Sequence, residues 1–171
     1  MIVDADDLLS CNIAKFVTQY PECYGWCIDK GYEYREGTKY IYYMKSKFYD
    51  KCGSCNIIRF DLLDKYINAD VADITNSDIA DIGGFNFLHH QSIPPLMIKN
   101  GTPLEKLPFE GAVYVIDHGE NMWLGAITSN MLKQANFKDL FLFKLRRFVK
   151  KMLSQRLSDS IRQTFSLYTL S

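Results

Sequence analysis

The sequence predicts an α+β fold in a single domain that covers residues 1–171. Three observations support this prediction. Short segments with alternating side chains are separated by turn residues, as in β-hairpins, and apolar residues recur at helical spacing near both ends of the chain. Hydrophobic residues make up 47% and charged residues 23% of the sequence, a composition that allows a buried core. We therefore expect antiparallel hairpins that form a sheet flanked by an N-terminal and a C-terminal helix.

The first third of the chain is predicted to form a helix and a hairpin. Apolar residues at helical spacing predict a helix over residues 5–20, and Pro21 ends it. Alternating side chains predict a strand over residues 38–44. Turn residues at 50–54 precede a second predicted strand at 57–60, and we expect these two strands to pair.

The middle of the chain contains a loop-rich stretch and a second predicted hairpin. A short helical turn is predicted at residues 61–67, and Gly and Pro pairs predict loops over residues 70–103. Residues 112–117 and 122–127 are predicted strands, and the turn at 118–121 joins them.

Three further elements are predicted near the C-terminus. Ser129 is a suitable N-cap for a helix that extends to about residue 135. Alternating apolar residues predict a strand over residues 141–145. A basic amphipathic helix over about residues 148–165 is expected to pack on the sheet through its apolar residues, which are Val149, Met152, Leu153 and Leu157.

Charge is divided unevenly along the chain. Residues 1–132 contain 18 acidic and 11 basic residues, a net charge of −7, and residues 133–171 contain 2 acidic and 9 basic residues, a net charge of +7. One 21-residue window holds a single lysine and six aspartates: Asp61, Asp64, Asp70, Asp73, Asp78 and Asp81. Such a run is typical of a solvated face. It also fits a partner-binding patch that attracts a basic protein.

The basic C-terminal segment raises the question of phosphate or membrane binding. Its cations are Lys144, Arg146, Arg147, Lys150 and Lys151. No nucleic-acid-binding motif or interleaving of aromatic and basic residues accompanies them, so nucleic acid is a disfavoured partner. The sequence lacks a run of ~20 apolar residues for a membrane span, and its first ten residues do not resemble a signal peptide. We therefore expect a cytoplasmic protein without a membrane partner.

The cysteines allow three interpretations. Cys23 and Cys27 form one close pair, and Cys52 and Cys55 form another, so four thiolates could bind zinc. Free cysteines are also common as small buried hydrophobic residues. A redox site at Cys52 and Cys55 would need a helix N-terminus to lower the thiol pKa, and a hairpin turn does not provide one. Zinc therefore remains a possible cofactor, in an accessory or regulatory module built on these four residues.

No sequence motif indicates catalysis. Asp117 and His118 could orient a general base, but no nucleophile motif accompanies them, and residues 117–121 fit a turn. There is no phosphate-binding loop, dinucleotide fingerprint or paired-histidine zinc motif. Scattered carboxylates could still meet in three dimensions as an acid and a base. We favour a binding protein over an enzyme.

Residues 55–145 resemble the bacterial immunity proteins of polymorphic toxin systems, in the family typified by a myxobacterial protein. The resemblance lies in the order of elements. A strand at 56–60 is followed by the acidic stretch at 70–81, which contains Ser77, and by a strand at 111–116. The closing element, residues 127–143, corresponds to a strand, a Ser-capped helix and a final strand. The basic tail after residue 145 lies outside the pattern.

The resemblance implies a cytoplasmic protein that binds a cognate bacterial toxin and neutralises it by occluding the active surface. Such proteins act by binding, so no catalytic residues are implied. An acidic face would suit a toxin that attacks nucleic acid and therefore presents basic residues.

Overall fold

The computed structural model describes residues 7–62, 90–91, 93–116 and 137–167. The predicted α+β class is confirmed. In chain order, the elements are β1 (Leu8–Leu9), α1 (Asn12–Val17), β2 (Gly25–Cys27), β3 (Gly31–Arg35), β4 (Tyr40–Met44), a 3₁₀ turn (Phe48–Asp50), β5 (Asn56–Ile58), α2 (Ile93–Lys99), β6 (Glu105–Lys106), β7 (Ala112–Ile116), α3 (Phe137–Leu153), β8 (Gln155–Arg156) and α4 (Asp159–Phe165).

The described strands form two sheets. The first has the order β1-β7-β3-β4-β8, and the second has the order β5-β2-β6. Both contain a parallel pair beside antiparallel ones: β3 with β7 in the first sheet and β2 with β6 in the second. Parallel neighbours need a crossover connection, so each sheet contains one. The sequence predicted hairpins only and did not predict these crossovers.

The predicted pairing of residues 38–44 with 57–60 is wrong. The strand at 40–44 pairs with β3 on one side and with β8 on the other. Residues 56–58 pair instead with β2 in the second sheet. Alternating side chains identify a strand but do not specify its partner, because pairing is set by which faces bury together.

One face of the first sheet packs against the C-terminal segment. Tyr34, Ile41 and Val113 project from β3, β4 and β7 into a buried cluster with Leu157, Phe165 and Leu167. The ring of Phe165 meets Tyr32 edge-on, with 5.7 Å between centroids. The apolar side of α4 thus closes this half of the core.

The opposite face of the first sheet packs on the second sheet. Phe48, from the 3₁₀ turn, is fully buried between them. Its ring fills the space above Gly31, where a Cβ atom would lie 2.6 Å from the ring. A side chain at position 31 would displace Phe48, so the small residue and the large ring depend on each other.

The second sheet depends on a close approach of β2 to β5. Gly25 has a φ of +146°, and a Cβ atom there would lie 2.1 Å from the carbonyl oxygen of Ile57. Only glycine permits both this backbone conformation and this separation. The resulting register places Gly25 opposite Ile58 and brings the preceding residue, Tyr24, next to Arg59.

Several predicted boundaries differ from the structure. Residues 8–9 form β1 instead of helix, because their backbone pairs with β7. Residues 93–99, predicted as loop, form α2, whose buried residues pack with Leu62. The predicted strand at 141–145 is part of α3.

The predicted helix at 148–165 is two helices with a strand between them. α3 ends at Leu153, β8 pairs with β4, and α4 begins after Ser158. The side chain of Ser158 accepts a hydrogen bond from the backbone N–H of Ile161 at 3.3 Å, the usual role of a serine N-cap. Pairing of β8 at the sheet edge and this cap explain the interruption.

Other predictions fall partly or wholly outside the described residues. The strand predicted from residue 112 is confirmed as β7 as far as Ile116. Its predicted hairpin partner at 122–127 and the helix from Ser129 lie outside the described part of the chain. The helical turn predicted at 61–67 begins at Phe60, and its description ends at Leu62.

Candidate protein-binding surface

Asp61 is the one predicted partner-binding aspartate that the structure describes. Its carboxylate accepts two hydrogen bonds from Arg59, with Nε to Oδ1 at 2.7 Å and Nη2 to Oδ2 at 3.0 Å. The Arg59 guanidinium holds the pKa of Asp61 below its usual range, and Asp61 in turn raises the pKa of Arg59. The other five aspartates, outside the described residues, are Asp64, Asp70, Asp73, Asp78 and Asp81.

Arg59 is held by the neighbouring segment as well as by Asp61. Its guanidinium lies over the ring of Tyr24, 5.5 Å from the centroid, and its Nη1 donates to the carbonyl oxygen of Glu22 at 3.5 Å. The backbone N–H of Arg59 donates to the carbonyl oxygen of Tyr24 at 3.0 Å. The side chain is therefore oriented before any partner arrives.

Tyr20, three residues after helix α1, is a second exposed aromatic residue and lines a cleft together with Glu22. Phe16 packs its ring edge-on against Trp26 and Phe109, with centroids 5.6 and 5.3 Å apart. Tyr20 then contacts both Phe16 and Trp26. These ring contacts hold the segment that follows α1 in place, although Tyr20 itself is half exposed.

We define the aromatic–acidic surface as a set of seven residues: Tyr20, Glu22, Tyr24, Arg59, Phe60, Asp61 and Glu105. An open cleft of about 490 Å³ borders it, lined by Gln19, Tyr20, Pro21, Glu22, Cys23 and Glu105. Phe60 is 78% exposed although it is a large apolar residue. The set contains three carboxylates and one guanidinium, so the surface carries a net negative charge.

The four candidate zinc ligands do not form a metal centre. Cys27, Cys52 and Cys55 are buried, and Cys23 is half buried. The structure describes all four, and no group of three His, Cys, Asp or Glu side chains in the described part of the chain is placed to hold a metal ion. The spacing of the two pairs was compatible with zinc, but the fold uses these residues as small core side chains.

The thiols are also poorly suited to redox chemistry. Burial raises the pKa of Cys27 to about 12 and that of Cys52 further. The thiol of Cys52 donates to the buried carboxylate of Asp7, with 3.1 Å from Sγ to Oδ2, and this carboxylate also opposes ionisation of Cys52. Thiolates are the reactive form, so these two sulfurs are protected.

Sequence reasoning did not identify Asp29 as a structural centre. Its carboxylate accepts from the backbone N–H of Lys47 at 2.9 Å and from Nζ of Lys106 at 2.8 Å. Burial opposes its charge, but these hydrogen bonds outweigh the burial and hold the pKa of Asp29 below its ordinary value. The sequence did contain one signal: Asp29 directly follows the apolar residues Cys27 and Ile28. A carboxylate buried in such a run must be hydrogen-bonded or paired with a cation.

Helix α3 exposes the apolar residues that were expected to pack on the sheet. Val149, Met152 and Leu153 are exposed, and only Leu157, beyond the helix, is buried as expected. Four more exposed apolar residues lie on the same helix: Phe141, Leu142, Leu145 and Phe148. An apolar area of this kind on a polar protein is characteristic of a contact surface.

The histidines contribute no described catalytic arrangement. The carbonyl oxygen of His90 accepts a hydrogen bond from the side-chain amide of Asn56 at 2.9 Å, and this bond joins the segment just before α2 to β5. His89 and the pair formed by Asp117 and His118 lie outside the described residues.

Comparison of this chain with protein-family models, curated proteins and solved structures gives no significant match. Among the described residues, no helix combines the length and the apolar character that crossing a membrane requires.

Proposed function

We propose that this chain is a non-catalytic, cytoplasmic immunity protein that binds a cognate bacterial toxin and neutralises it by occluding its active surface. Two observations support the proposal: the resemblance of residues 55–145 to that family, although the final strand of its pattern is part of α3 here, and the aromatic–acidic surface. The observation that carries the proposal is the fixed position of Arg59, between Asp61 and the ring of Tyr24 and beside the exposed Phe60.

Residues of this kind supply most of the affinity in protein interfaces. Tyr and Arg are enriched among the residues whose loss weakens binding most, and a large aromatic ring buries much apolar area when a partner covers it. Because Arg59 is already oriented, less conformational entropy is lost when a partner binds. Phe60 is the natural anchor, since it leaves water only when a partner is present.

The charge of the surface favours a basic partner. Glu22, Asp61 and Glu105 outnumber Arg59, and the 20 residues that follow Asp61 in sequence contain five more aspartates, which lie outside the described residues. A toxin that acts on nucleic acid presents cationic residues around its active site, so an acidic protein would be drawn to the region it has to cover.

The experiment first looks for a toxin-like reading frame directly upstream of the gene and then pairs this protein with its product. We expect the two proteins to copurify and to dissociate with a nanomolar constant, and we expect co-expression to restore growth to cells that carry the toxin. Phe60→Ala should weaken binding at least tenfold, equivalent to about 1.4 kcal/mol. The matched control is Ile98→Ala on α2, which removes an apolar side chain of similar exposure and should leave binding unchanged.

Two results would count against the proposal. A complex that fails to form at nanomolar concentrations would exclude specific neutralisation by binding. Equal affinities for the Phe60→Ala and Ile98→Ala variants would show that the aromatic–acidic surface is not the contact region.

A further inference from the structure

The apolar side of α3 has the spacing of a helix–helix contact. Phe141, Leu145, Phe148 and Met152 are separated by four, three and four residues. This spacing aligns side chains along one line of a helix, as in the seam of a coiled coil. All four are exposed, and Phe148 is 61% exposed. We call these four residues the α3 seam.

The way α3 is attached to the fold turns the seam outward. Nζ of Lys150 forms a salt bridge with Glu33 on β3 and lies over the ring of Tyr42 on β4, 5.5 Å from its centroid. At 3.6 residues per turn, Lys150 is about 180° around the helix from Phe141. The polar side of α3 therefore meets the first sheet, and the seam points away from it.

The residues beside the seam differ between its two edges. Lys144 and Lys151 are exposed along one edge, one heptad apart, and Leu142 and Val149 are exposed along the other. Residues at such flanking positions set the choice of partner in coiled coils through their charges. A partner helix placed on the seam would bring its own flanking residues next to the two lysines.

These lysines argue against a second copy of the chain as the occupant. Antiparallel pairing of two α3 helices would place lysine edge against lysine edge, and like charges across a contact are unfavourable. Parallel pairing would place the lysines against Leu142 and Val149, which gains no ion pair. A helix with acidic flanking residues satisfies both the seam and the lysines.

We propose that the α3 seam is a docking site for an amphipathic helix of a partner protein whose apolar residues are flanked by Glu or Asp. The site lies on a different element from the aromatic–acidic surface, and α3 extends beyond residue 145, where the immunity-family pattern ends. It goes beyond toxin neutralisation and does not depend on it.

The test uses two synthetic helical peptides of roughly three heptads that share one apolar seam. The acidic peptide carries Glu at the flanking positions, and the basic peptide carries Lys. Each is titrated against the full chain by fluorescence anisotropy at low salt. We expect the acidic peptide to bind at least tenfold more tightly, and we expect this preference to shrink in high salt because screening weakens the ion pairs.

Three variants of the full chain extend the test. The double substitution Lys144→Glu and Lys151→Glu leaves the seam intact and should reverse the preference between the peptides. Leu145→Asp should abolish binding of both, whereas Ile98→Asp, at an exposed position on α2, should not. Circular dichroism of each variant verifies that the fold is retained.

Three outcomes would overturn the proposal. Equal binding of both peptides, or binding of neither, removes the acidic helix as occupant. A concentration-dependent dimer that Leu145→Asp dissociates identifies a second copy instead. Binding to phosphatidylglycerol vesicles without binding to the acidic peptide assigns the seam to an anionic lipid surface.

Discussion

Asp29 shows how one buried carboxylate can organise several segments of chain. It lies two residues after the end of β2, and it receives hydrogen bonds from the loop at Lys47 and from Lys106 on β6. The backbone carbonyl of the same residue accepts from the N–H of Phe48 at 3.1 Å, which helps to position the ring that fills the core. The loss of this charge should therefore destabilise the contact of β6 with Asp29 and the loop that positions Phe48.

Asp29→Asn should lower the free energy of unfolding by about 1 kcal/mol at pH 7, because the hydrogen bond from an exposed lysine loses its charged acceptor. The folded pKa of Asp29 lies below its ordinary value of 3.8. The contribution of the charge is therefore present above pH 3.8 and is lost as the pH falls through the folded pKa. Urea unfolding at pH 7, 5 and 3 measures the difference between wild type and variant.

The difference should be constant between pH 7 and pH 5 and smaller at pH 3. Asp50→Asn, the same substitution at an exposed aspartate, is the control and should change stability little at any of these values. A difference at pH 3 as large as the one at pH 7 would mean that the carboxylate acts through its shape and not through its charge.

The candidate site could be predicted only in part from single residues. Asp61 was identified by the density of aspartates around it, and the structure shows it exposed and paired with Arg59. Arg59 and Tyr24 were not identified, because they are 35 positions apart in sequence and meet only through the pairing of β2 with β5. That pairing depends on the close approach at Gly25, which no local pattern reveals.

At the scale of elements, α3 and α4 have opposite relations to the core although they are neighbours in sequence. α4 buries Phe165 against the first sheet, with 2% of the residue exposed. α3 approaches the sheet through Lys150 and leaves its apolar side in solvent. One helix therefore contributes to stability through burial, and the other offers apolar area to a partner.

Phe165→Ala and Phe148→Ala should separate these roles. Removal of the buried ring of Phe165 should cost about 3–5 kcal/mol, because the lost apolar burial is accompanied by a cavity. Removal of the exposed ring of Phe148 should change the free energy of unfolding by less than about 0.5 kcal/mol. Thermal and urea unfolding of both variants provides the comparison. Similar losses in the two would show that α3 packs into the core through its apolar side.

Sequence periodicity predicted strands and helices with unequal success. The alternation at 40–44 and the apolar run at 112–116 identified two strands correctly. The alternation of Phe141, Phe143 and Leu145 was misleading, because Phe141 and Leu145 also fit a helical seam that continues to Phe148 and Met152. Over five residues the two periods cannot be told apart, and the longer pattern favoured the helix.

The molecule as a whole is organised by the parallel pair β3 and β7. Five residue pairs, from Gly31 with Ala112 to Arg35 with Ile116, join two parts of the chain that are far apart in sequence. β7 lies between β1 and β3, so without β7 the strand β1 has no partner in the first sheet and β3 has a free edge. Contacts of such long sequence separation cost loop-closure entropy and make the sheet depend on distant parts of the chain.

A chain that ends at residue 104 should therefore fail to fold, because it lacks both β6 and β7. We expect its circular dichroism to show no cooperative thermal transition, whereas the full chain shows one. Mixing this fragment with residues 105–171 should restore a transition, since strand pairing needs no covalent connection. Cooperative unfolding of residues 1–104 alone would show that this part of the chain forms an independent unit without β6 and β7.

Gly25 has a consequence for how this sequence can vary. Every missense change in a glycine codon adds at least a Cβ atom, and that atom would overlap the carbonyl oxygen of Ile57, 2.1 Å away. No neighbouring side chain can yield to relieve the overlap, because the obstacle is backbone. A library of all single substitutions should therefore tolerate no replacement at position 25, while it tolerates many at Phe148 and Ile98.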